Sequence, residues 1–317
     1  MKIVLLESLA VSEEKVAALA APLIAAGHSF VAYTDGARDV DLLIERAKDA
    51  DILMVASSPL PAEVVDACKN LKLISVAFTG VDHLPMALCR ERGILVSNCA
   101  GYSNESVAEL VFGLVISLLR RIPACDTACR NGGTKAGLVG FELAGKTFGI
   151  VGTGAIGLRV AELAKAFGCR LVGYSRSRRP QAEAMGLEYL SLDELMSTAD
   201  IISLHVPATD ATRGMIGADQ IARMKPDAML INTARGPVLD SAALAAALKE
   251  GRIAGAGIDV FETEPPIPAD HPLCSAPNVI LTPHVAFATA QSMVVRAEMV
   301  FENVRCYLDG SPRNLMK

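Results

Sequence analysis

Three glycines spaced as Gly152-x-Gly154-x-x-Gly157 form the pattern of a loop that binds phosphate. The run 148–151 before them is apolar and ends in a β-branched residue, which predicts a buried strand. Gly152 permits a tight turn out of this strand, and Gly154 lets backbone N–H groups approach a pyrophosphate. Gly157 lets a following helix pack closely on the strand. The segment therefore has the residue types that hold a dinucleotide.

A helix and a second strand are predicted directly after this loop. Apolar residues recur at helical spacing, namely Ile156, Val160, Leu163, Ala164 and Phe167. Free N–H groups and the macrodipole at the helix N-terminus would favour an anion there. The next strand is predicted at 170–174. This order of elements favours a dinucleotide site over a glycine-rich turn in an unrelated α/β protein.

The end of the second strand predicts which cofactor is preferred. Sites that prefer NAD place Asp or Glu there, where the carboxylate accepts from the ribose 2′-OH. Here 169–181 contains no acid, Ser175 and Arg176 stand at the expected position, and Arg178 and Arg179 are nearby. Guanidinium groups favour a 2′-phosphate, so NADPH is the predicted preference, with NADH still usable. Alternatively, the arginines face solvent and leave the site tolerant of both cofactors.

Composition excludes several classes of protein. A chain of 317 residues suggests two domains, and 51% hydrophobic residues exclude a disordered protein. The net charge of −5, with no basic run beyond 176–179, argues against nucleic acid as a partner. No apolar run reaches the ~18 residues of a membrane span. Glu7 follows the N-terminal apolar run too early for a signal peptide, so this run is predicted as a first strand.

Eight cysteines occur without a C-x-x-C pair, so no metal site is expected. Cys125 and Cys129 could share a helix face, and we expect them to be buried thiols. The cysteine content predicts a cytoplasmic, reduced protein.

Residues 2–98 alternate between strand-like and helix-like segments. The predicted strands are 3–6, 30–33, 52–56, 73–77 and 94–96, and the predicted helices are 13–26, 41–48, 62–68 and 84–92. A repeated β-α order with apolar strands predicts a parallel sheet covered on both faces.

A second α/β unit is predicted from about 143 to 284. Its six predicted strands are 148–151, 170–174, 201–204, 229–232, 256–259 and 279–281. A last helix at 288–308 would return to the first domain. The predicted fold is α/β, with two doubly wound parallel-sheet domains. A Rossmann dinucleotide-binding domain (99–286) is inserted in a flavodoxin-like substrate-binding, catalytic domain (1–98 and 287–317).

The stretch 100–122 interrupts this alternation. Asn104 or Ser103 can cap a helix there, and the helix is apolar over much of its circumference, which predicts burial. It could pack only within its own subunit. We hypothesise that it also joins two subunits in a symmetric homodimer.

Four further motifs follow the glycine loop in order, and with it they resemble the D-isomer-specific 2-hydroxyacid dehydrogenases over essentially the whole chain. The motifs are His205-Val-Pro-Ala-Thr209, Ile231-Asn-Thr-Ala-Arg-Gly-Pro-Val-Leu-Asp240, Asp259-Val-Phe-Glu-Thr-Glu-Pro-Pro266 and Leu281-Thr-Pro-His284. The segments Phe78-Thr-Gly-Val-Asp82 and Asn98-Cys-Ala-Gly-Tyr-Ser103 are similar to the glycerate dehydrogenase (hydroxypyruvate and glyoxylate reductase) branch.

The resemblance implies a catalytic set of Arg235, Glu264 and His284. Elementary chemistry agrees, because reducing a 2-oxoacid needs a hydride at C2 and a proton on the carbonyl oxygen. His284 is a suitable acid, since imidazole titrates near neutral pH. A carboxylate beside it favours the imidazolium. Arg235 can bind the substrate carboxylate and carbonyl together.

Other residues could fill these roles. Glu262 competes with Glu264 as the carboxylate, and only the family pattern selects the latter. His205 and His271 are weaker candidates for the acid. A lone His is often structural, and Arg235 could be a surface ion-pair residue.

The resemblance also implies ligand contacts. The cofactor-binding residues implied are Gly152, Thr153, Gly154, Ala155, Ile156, Gly157, Ser175, Arg176, Ser177, Arg178, His205, Val206, Pro207, Thr212, Thr233, Ala234, Arg235, Asp259 and His284. His205 would line the adenosine side and Asp259 would contact the nicotinamide carboxamide. The substrate-binding residues implied are Ser57, Thr79, Gly80, Val81, Arg235 and His284, with the carboxylate on the backbone N–H groups of 79–81.

The predicted protein is therefore an NAD(P)-dependent oxidoreductase that reduces a short 2-oxoacid, of the hydroxypyruvate or glyoxylate type, to the D-2-hydroxyacid. A D-lactate or 3-phosphoglycerate dehydrogenase is an alternative within the enzyme class. We expect no C-terminal regulatory extension, which weighs against the long phosphoglycerate forms. A cofactor-sensing protein of the corepressor type is an alternative from another class.

Overall fold

The computed structural model describes residues 1–263 and 266–316. The chain forms two compact units. Unit 1 comprises Met1–Ser103 and Ala288–Lys317, and unit 2 comprises Asn104–Phe287.

Unit 1 is built on a five-stranded parallel sheet. Its strands are β1 (Lys2–Leu5), β2 (Ser29–Ala32), β3 (Ile52–Val55), β4 (Leu73–Val76) and β5 (Leu95–Ser97), and its first helices are α1 (Glu13–Ala25), α2 (Val40–Ala47), α3 (Ala62–Ala67) and α4 (Met86–Glu91). The strand order is β2-β1-β3-β4-β5, the flavodoxin-like order. In β3 and β4 every residue is buried, as expected for parallel strands covered on both faces.

Unit 2 holds a seven-stranded parallel sheet. The strands are β6 (Thr147–Val151), β7 (Arg170–Tyr174), β8 (Glu188–Tyr189), β9 (Ile201–Leu204), β10 (Met229–Asn232), β11 (Gly255–Ile258) and β12 (Val279–Leu281). The helices are α5 (Asn104–Leu119), α6 (Ile122–Arg130), α7 (Ala155–Ala166), α8 (Pro180–Ala184), α9 (Leu192–Thr198), α10 (Ala218–Ala222) and α11 (Ser241–Lys249). Short 3₁₀ turns occupy Gly236–Val238 and Pro272–Ser275.

The strand order in unit 2 is β12-β11-β10-β9-β6-β7-β8. The order reverses between β6 and β9, and in doubly wound sheets ligands bind outside the carboxyl ends of the strands at that point. The two-parallel-sheet prediction is therefore confirmed, with the Rossmann order in the second sheet.

Helix α12 (Ala290–Leu308) belongs to unit 1, where it packs against β4 and α1. Thr289 caps it by accepting from the Ser292 N–H, and the N–H of Thr289 in turn donates to the Ser292 hydroxyl. The interior of unit 1 thus contains a helix that is distant in sequence from its strands.

Three expectations need correction. The sheet of unit 2 has seven strands rather than six, because β8 contains only two residues and shows no periodicity. Helix α6 was not among the predicted elements, and it has no buried residue. Cys125 and Cys129 both lie on α6, but Cys129 is exposed and Cys125 half-buried instead of buried.

Helix α5 is buried, as predicted, against its own unit. It packs on α7 and on strands β10, β11 and β12, and its buried residues include Val107, Val111, Leu114 and Val115. Much of its apolar surface is thus covered within one subunit. Within the described residues, no helix is both long and apolar enough to cross a membrane.

Candidate active site

The glycine loop lies at the point where the strand order of unit 2 reverses. Val151 at the end of β6 pairs with Leu204 at the end of β9. Gly152 has φ +100°, and a Cβ there would lie 2.5 Å from the His205 carbonyl oxygen. The loops after β6 and β9 therefore touch through backbone atoms, and only glycine fits at position 152.

The other two glycines differ in what surrounds them. A Cβ on Gly157 would overlap the carbonyl oxygen of Gly152, so this glycine sets how closely α7 approaches the strand. A Cβ on Gly154 would meet no protein atom within 4 Å. Gly154 is also the N-cap of α7, with no side-chain cap. The open space at this N-terminus fits the pyrophosphate of a dinucleotide, and a Cβ would intrude on it.

Tyr189, on the short edge strand β8, connects the glycine loop to the arginine-rich loop. Its hydroxyl lies 2.8 Å from Thr153 Oγ1 and accepts from the N–H of Arg179 at 3.0 Å. The Arg178 guanidinium lies 5.7 Å from the centre of the Tyr189 ring and pairs with Glu183 at 3.7 Å. Sequence analysis missed Tyr189, because a two-residue strand leaves no pattern.

Ser175 and Arg176 follow the last residue of β7. Ser175 is half-buried, whereas Arg176, Ser177 and Arg178 are exposed. No carboxylate lies in this loop, so nothing there repels a 2′-phosphate.

Side-chain hydrogen bonds hold the segment after β9 in place. His205 Nε2 lies 2.8 Å from Ser203 Oγ, and burial lowers the pKa of His205 to about 3. This imidazole is therefore neutral at physiological pH and is poorly suited to donate a proton. Thr212 Oγ1 donates to the Pro207 carbonyl and accepts from the Thr209 N–H, which holds the turn after Val206.

The loop that carries Arg235 is braced by Asn232, the last residue of β10. The fully buried Asn232 accepts from the Ala234 N–H at 3.0 Å and donates to the Arg235 carbonyl at 3.1 Å. Arg235 Nη1 donates to the Ala234 carbonyl at 2.8 Å. Sequence analysis gave Asn232 no role, although its place before Thr233 at a strand end was a usable signal.

Two features of this loop bear on a ligand. Thr233 Oγ1 is buried and has no hydrogen-bond partner within the described part of the chain. Since buried hydroxyls are normally paired, this atom fits a cofactor contact. A Cβ on Gly236 would overlap backbone atoms of Phe261, so the loop packs directly on that segment.

His284 is held in a left-handed conformation, φ +55°, by Asp259. The His284 N–H donates to the Asp259 carbonyl at 2.8 Å. The buried Asp259 carboxylate accepts from Thr282 Oγ1 at 2.6 Å, from the Val285 N–H at 2.9 Å and from the Ala286 N–H at 3.0 Å. One carboxylate thus fixes the loop on both sides of His284. The imidazole lies edge-on to Phe287, with ring centres 5.4 Å apart.

The predicted catalytic residues follow neighbouring strands. Register pairs Asn232 with Ile258 and Ile258 with Leu281, so β10, β11 and β12 end side by side. The loops with Arg235, Asp259 and His284 consequently leave the same edge of the sheet. The third predicted residue, Glu264, lies outside the described residues.

Glu262 and His271, the alternative candidates for the carboxylate and the acid, pair with one another. His271 Nε2 lies 3.1 Å from Glu262 Oε2, and the His271 ring stacks edge-on to Phe261. Burial raises the pKa of Glu262, but hydrogen bonds from Ser241 and His271 outweigh it and leave the pKa lowered. Both groups therefore have a structural role within unit 2.

The substrate residues implied in unit 1 lie after β3 and β4. Ser57 and the loop of Thr79, Gly80 and Val81 are half-buried. Glu7, which sequence analysis missed, accepts from the Ala56 N–H at 3.0 Å and the Ser58 N–H at 3.1 Å, so its carboxylate brackets Ser57.

Among the residues that the structure describes, no cluster of three or more His, Cys, Asp or Glu side chains could hold a metal ion.

The sheet order and the glycine loop define an α/β protein of the dinucleotide-binding type. Residues 112–286 match the family model described as D-isomer specific 2-hydroxyacid dehydrogenase, NAD binding domain. The chain belongs to the D-isomer-specific 2-hydroxyacid dehydrogenase family, and it is an oxidoreductase with an NAD(P)-binding domain.

Relatives and solved structures agree with this assignment. A glyoxylate reductase of Korarchaeum cryptofilum is 42% identical over 283 residues, covering 87% of this chain and 85% of the relative. A glycerate dehydrogenase of Methylorubrum extorquens is 38% identical, with coverages of 87% and 88%. The D-lactate dehydrogenase of Aquifex aeolicus, solved with NAD and lactic acid, superposes with a TM-score of 0.85 at 33% identity, covering 97% and 96%. An acyclic imino acid reductase, solved with NADPH and D-Arg, superposes with a TM-score of 0.90 at 32% identity over 100% of both chains.

Proposed function

We propose that this protein reduces a short 2-oxoacid, of the hydroxypyruvate or glyoxylate type, to the D-2-hydroxyacid. The observation that carries the proposal is the placement of Arg235 and His284 at the same sheet edge as the open glycine loop. Relatives named glyoxylate reductase, glycerate dehydrogenase and hydroxypyruvate reductase support the substrate class. The bound nicotinamide supplies the hydride that reduces C2.

The protein residues supply charge and a proton. Arg235 binds the substrate carboxylate and polarises the carbonyl, because a guanidinium presents parallel N–H donors to both groups. His284 gives its proton to the carbonyl oxygen as the alcohol forms. The left-handed backbone and the Asp259 bonds hold this imidazole in one place. Glu264 remains the proposed carboxylate partner of His284, and Ser57 and 79–81 the proposed substrate contacts in unit 1.

The test is turnover of NADPH and NADH with a panel of 2-oxoacids, followed by replacement of His284. His284→Ala should lower kcat by about 10²–10⁴, the usual contribution of a positioned acid. His271→Gln is the matched control, because glutamine can still donate to Glu262, and it should keep kcat within about threefold. Full activity of His284→Ala would overturn the mechanism.

The panel also separates the alternatives. Preference for pyruvate would identify a D-lactate dehydrogenase, and preference for 3-phosphohydroxypyruvate a phosphoglycerate dehydrogenase. The chain matches 52% of the length of a D-3-phosphoglycerate dehydrogenase of Methanocaldococcus jannaschii at 42% identity. Cofactor binding without turnover of any 2-oxoacid would favour the corepressor type.

We also propose a preference for NADPH over NADH. Its support is the exposed Arg176 after β7 and the lack of a carboxylate in 169–181. A guanidinium attracts a 2′-phosphate, whereas a carboxylate repels it. Arg176→Asp should shift the ratio of kcat/KM values toward NADH by at least about tenfold, the factor expected from one charged contact. Equal kcat/KM for the two cofactors in the wild-type protein would contradict the preference.

We infer, finally, that the protein acts as a homodimer in the cytoplasm. Helix α5 is covered largely within its own unit, but the segment that follows it keeps apolar side chains in solvent. Ile122, Val139 and Phe141 are 47%, 82% and 59% exposed, respectively. A second copy of this chain would remove these side chains from water.

A further inference from the structure

Asn98 lies buried at the carboxyl end of β5, next to the loop proposed to bind the substrate carboxylate. Its Nδ2 donates to the Thr79 carbonyl oxygen at 2.7 Å, and its Oδ1 accepts from the Ala100 N–H at 3.3 Å. This side chain therefore connects the end of β5 to the loop after β4.

The hydrogen bond to Thr79 fixes a donor on the opposite side of the peptide. The peptide joining Thr79 and Gly80 is planar and trans, so its C=O and N–H point in opposite directions. With the Thr79 carbonyl held by Asn98, the N–H of Gly80 must point away from Asn98. Such a fixed N–H is what an anion-binding loop requires.

Asn98 is itself held in place by the C-terminal segment. Its N–H donates to the Asn314 carbonyl at 3.0 Å, and its C=O accepts from Asn303 Nδ2 at 2.8 Å. The fully buried Asn303 also accepts from Asn314 Nδ2 at 3.0 Å. Asn314 adopts φ +53°, a conformation that asparagine tolerates better than most residues.

The backbone beside this network is also paired. Ser97 Oγ donates to the Arg313 carbonyl at 2.8 Å, and the Met316 N–H donates to the Val96 carbonyl at 2.8 Å. The network Asn314, Asn303, Asn98, Thr79 thus runs from the C-terminal segment to the loop at 79–81, entirely within unit 1.

We propose that Asn98 is a positioning residue that aims the Gly80 N–H at the substrate carboxylate, with Asn303 and Asn314 keeping it rigid. The inference rests on the proposed function, since it gives the loop at 79–81 its ligand. It assigns Asn98 no contact with the substrate. Loss of Asn98 therefore weakens binding of the carboxylate but leaves the proposed acid, His284, and the Arg235 guanidinium in place.

The test compares Asn98→Leu and Asn98→Ala with Ser97→Ala. Leucine has the branched skeleton of asparagine with a larger volume and makes neither bond, and alanine serves if leucine does not fold. Ser97→Ala is the matched control, because Ser97 is equally buried and bonds the same C-terminal segment but does not contact Thr79. Readouts are KM and kcat for glyoxylate, the Kd of oxamate by calorimetry, and the Kd of NADPH by fluorescence.

We expect either Asn98 variant to raise KM and the oxamate Kd by about tenfold or more, the effect of one misplaced hydrogen bond to a charged group. The kcat value and the NADPH Kd should stay within about threefold of the wild type. An unchanged KM and oxamate Kd in both variants, or the same loss in Ser97→Ala, would overturn the inference while leaving the proposed function intact. A wild-type protein that reduces no 2-oxoacid would instead overturn the proposed function.

Discussion

His205 and His284 show how different surroundings distinguish two residues of one type. Both follow a strand of the same sheet, and both imidazoles are capable of proton transfer in water. Both residues are half-buried, but desolvation lowers the pKa of His205, which lies 2.8 Å from Ser203 Oγ, whereas His284 lies on a loop fixed by Asp259. At the residue scale, the chemistry therefore depends on what each side chain contacts.

The lowered pKa of His205 predicts how stability responds to acid. Its folded pKa of about 3 lies below the ordinary value of 6.5. The unfolded chain takes up a proton as the pH falls through 6.5, while the folded protein does not. The contribution of His205 to the free energy of unfolding is thus fully present above pH 6.5. It decreases on acidification, by about 2 kcal/mol at pH 5.

Urea denaturation of the protein without ligands at pH 7 and pH 5 measures this effect. His205→Gln cannot take up the proton, so its free energy of unfolding should fall less between these pH values than that of the wild type. Carboxylates with lowered pKa values, such as Asp35 and Asp200, lose their contributions only below about pH 4, outside this window. Identical pH dependence in both proteins would contradict the lowered pKa of His205.

At the element scale, the residues proposed to carry function lie on loops that leave the carboxyl ends of parallel strands. Each loop is fixed by one buried or bracketing polar group: Asn232 holds the Arg235 loop, Asp259 holds the His284 loop and Glu7 brackets Ser57. The strands supply a rigid frame because their apolar residues are buried on both faces. Placement of the proposed catalytic side chains thus depends on the strands and loops that carry them.

Replacing Gly154 or Gly157 by alanine should affect different properties, namely cofactor binding for Gly154 and stability for Gly157. Gly154→Ala meets no protein atom, so the thermal unfolding temperature should not change. NADPH binding should weaken by at least about tenfold, because the methyl group displaces a phosphate from backbone N–H donors worth about 1.5–3 kcal/mol each. Gly157→Ala overlaps the Gly152 carbonyl and should destabilise unit 2 by about 1–3 kcal/mol.

Differential scanning fluorimetry and NADPH fluorescence titration distinguish the two variants. Each variant is the control for the other, since both add one methyl group within four residues of sequence. Wild-type affinity in a folded Gly154→Ala protein would show that the open space at this helix N-terminus does not hold the pyrophosphate.

At the scale of the whole molecule, the chain forms two sheets with different strand orders. Unit 2 holds the glycine loop and the residues proposed for catalysis, Arg235 and His284, and unit 1 holds the loop at 79–81 with its asparagine network. Because α12 returns to unit 1, the first and last parts of the sequence contribute to one domain.

The proposed homodimer is testable by sedimentation equilibrium at micromolar concentration. The wild-type protein should sediment as a dimer, and Val139→Asp combined with Phe141→Asp should give a monomer, because burying two charges in an apolar interface is unfavourable. Ile24→Asp is the control, since Ile24 is 54% exposed but lies in unit 1. A monomeric wild-type protein would remove the dimer proposal.

The sequence by itself determined the class of fold and the residues able to do chemistry. The buried parallel strand β3 is an uninterrupted apolar run, and β4 departs from one only at Ser75. The glycine spacing follows from the size of a phosphate and the absence of a Cβ. These are local properties, so they can be read from neighbouring residues.

Tertiary structure alone decided which groups hold that chemistry in place. Asn98 contacts Thr79, Asn303 and Asn314, and Tyr189 contacts Thr153 and Arg179, across separations that no local pattern encodes. Isolated polar residues at strand ends look alike in sequence, whether exposed or bonded. Folding brings distant chain segments within hydrogen-bond distance. Only the contacts formed in this way distinguish His205 from His284, and Glu262 from its neighbours.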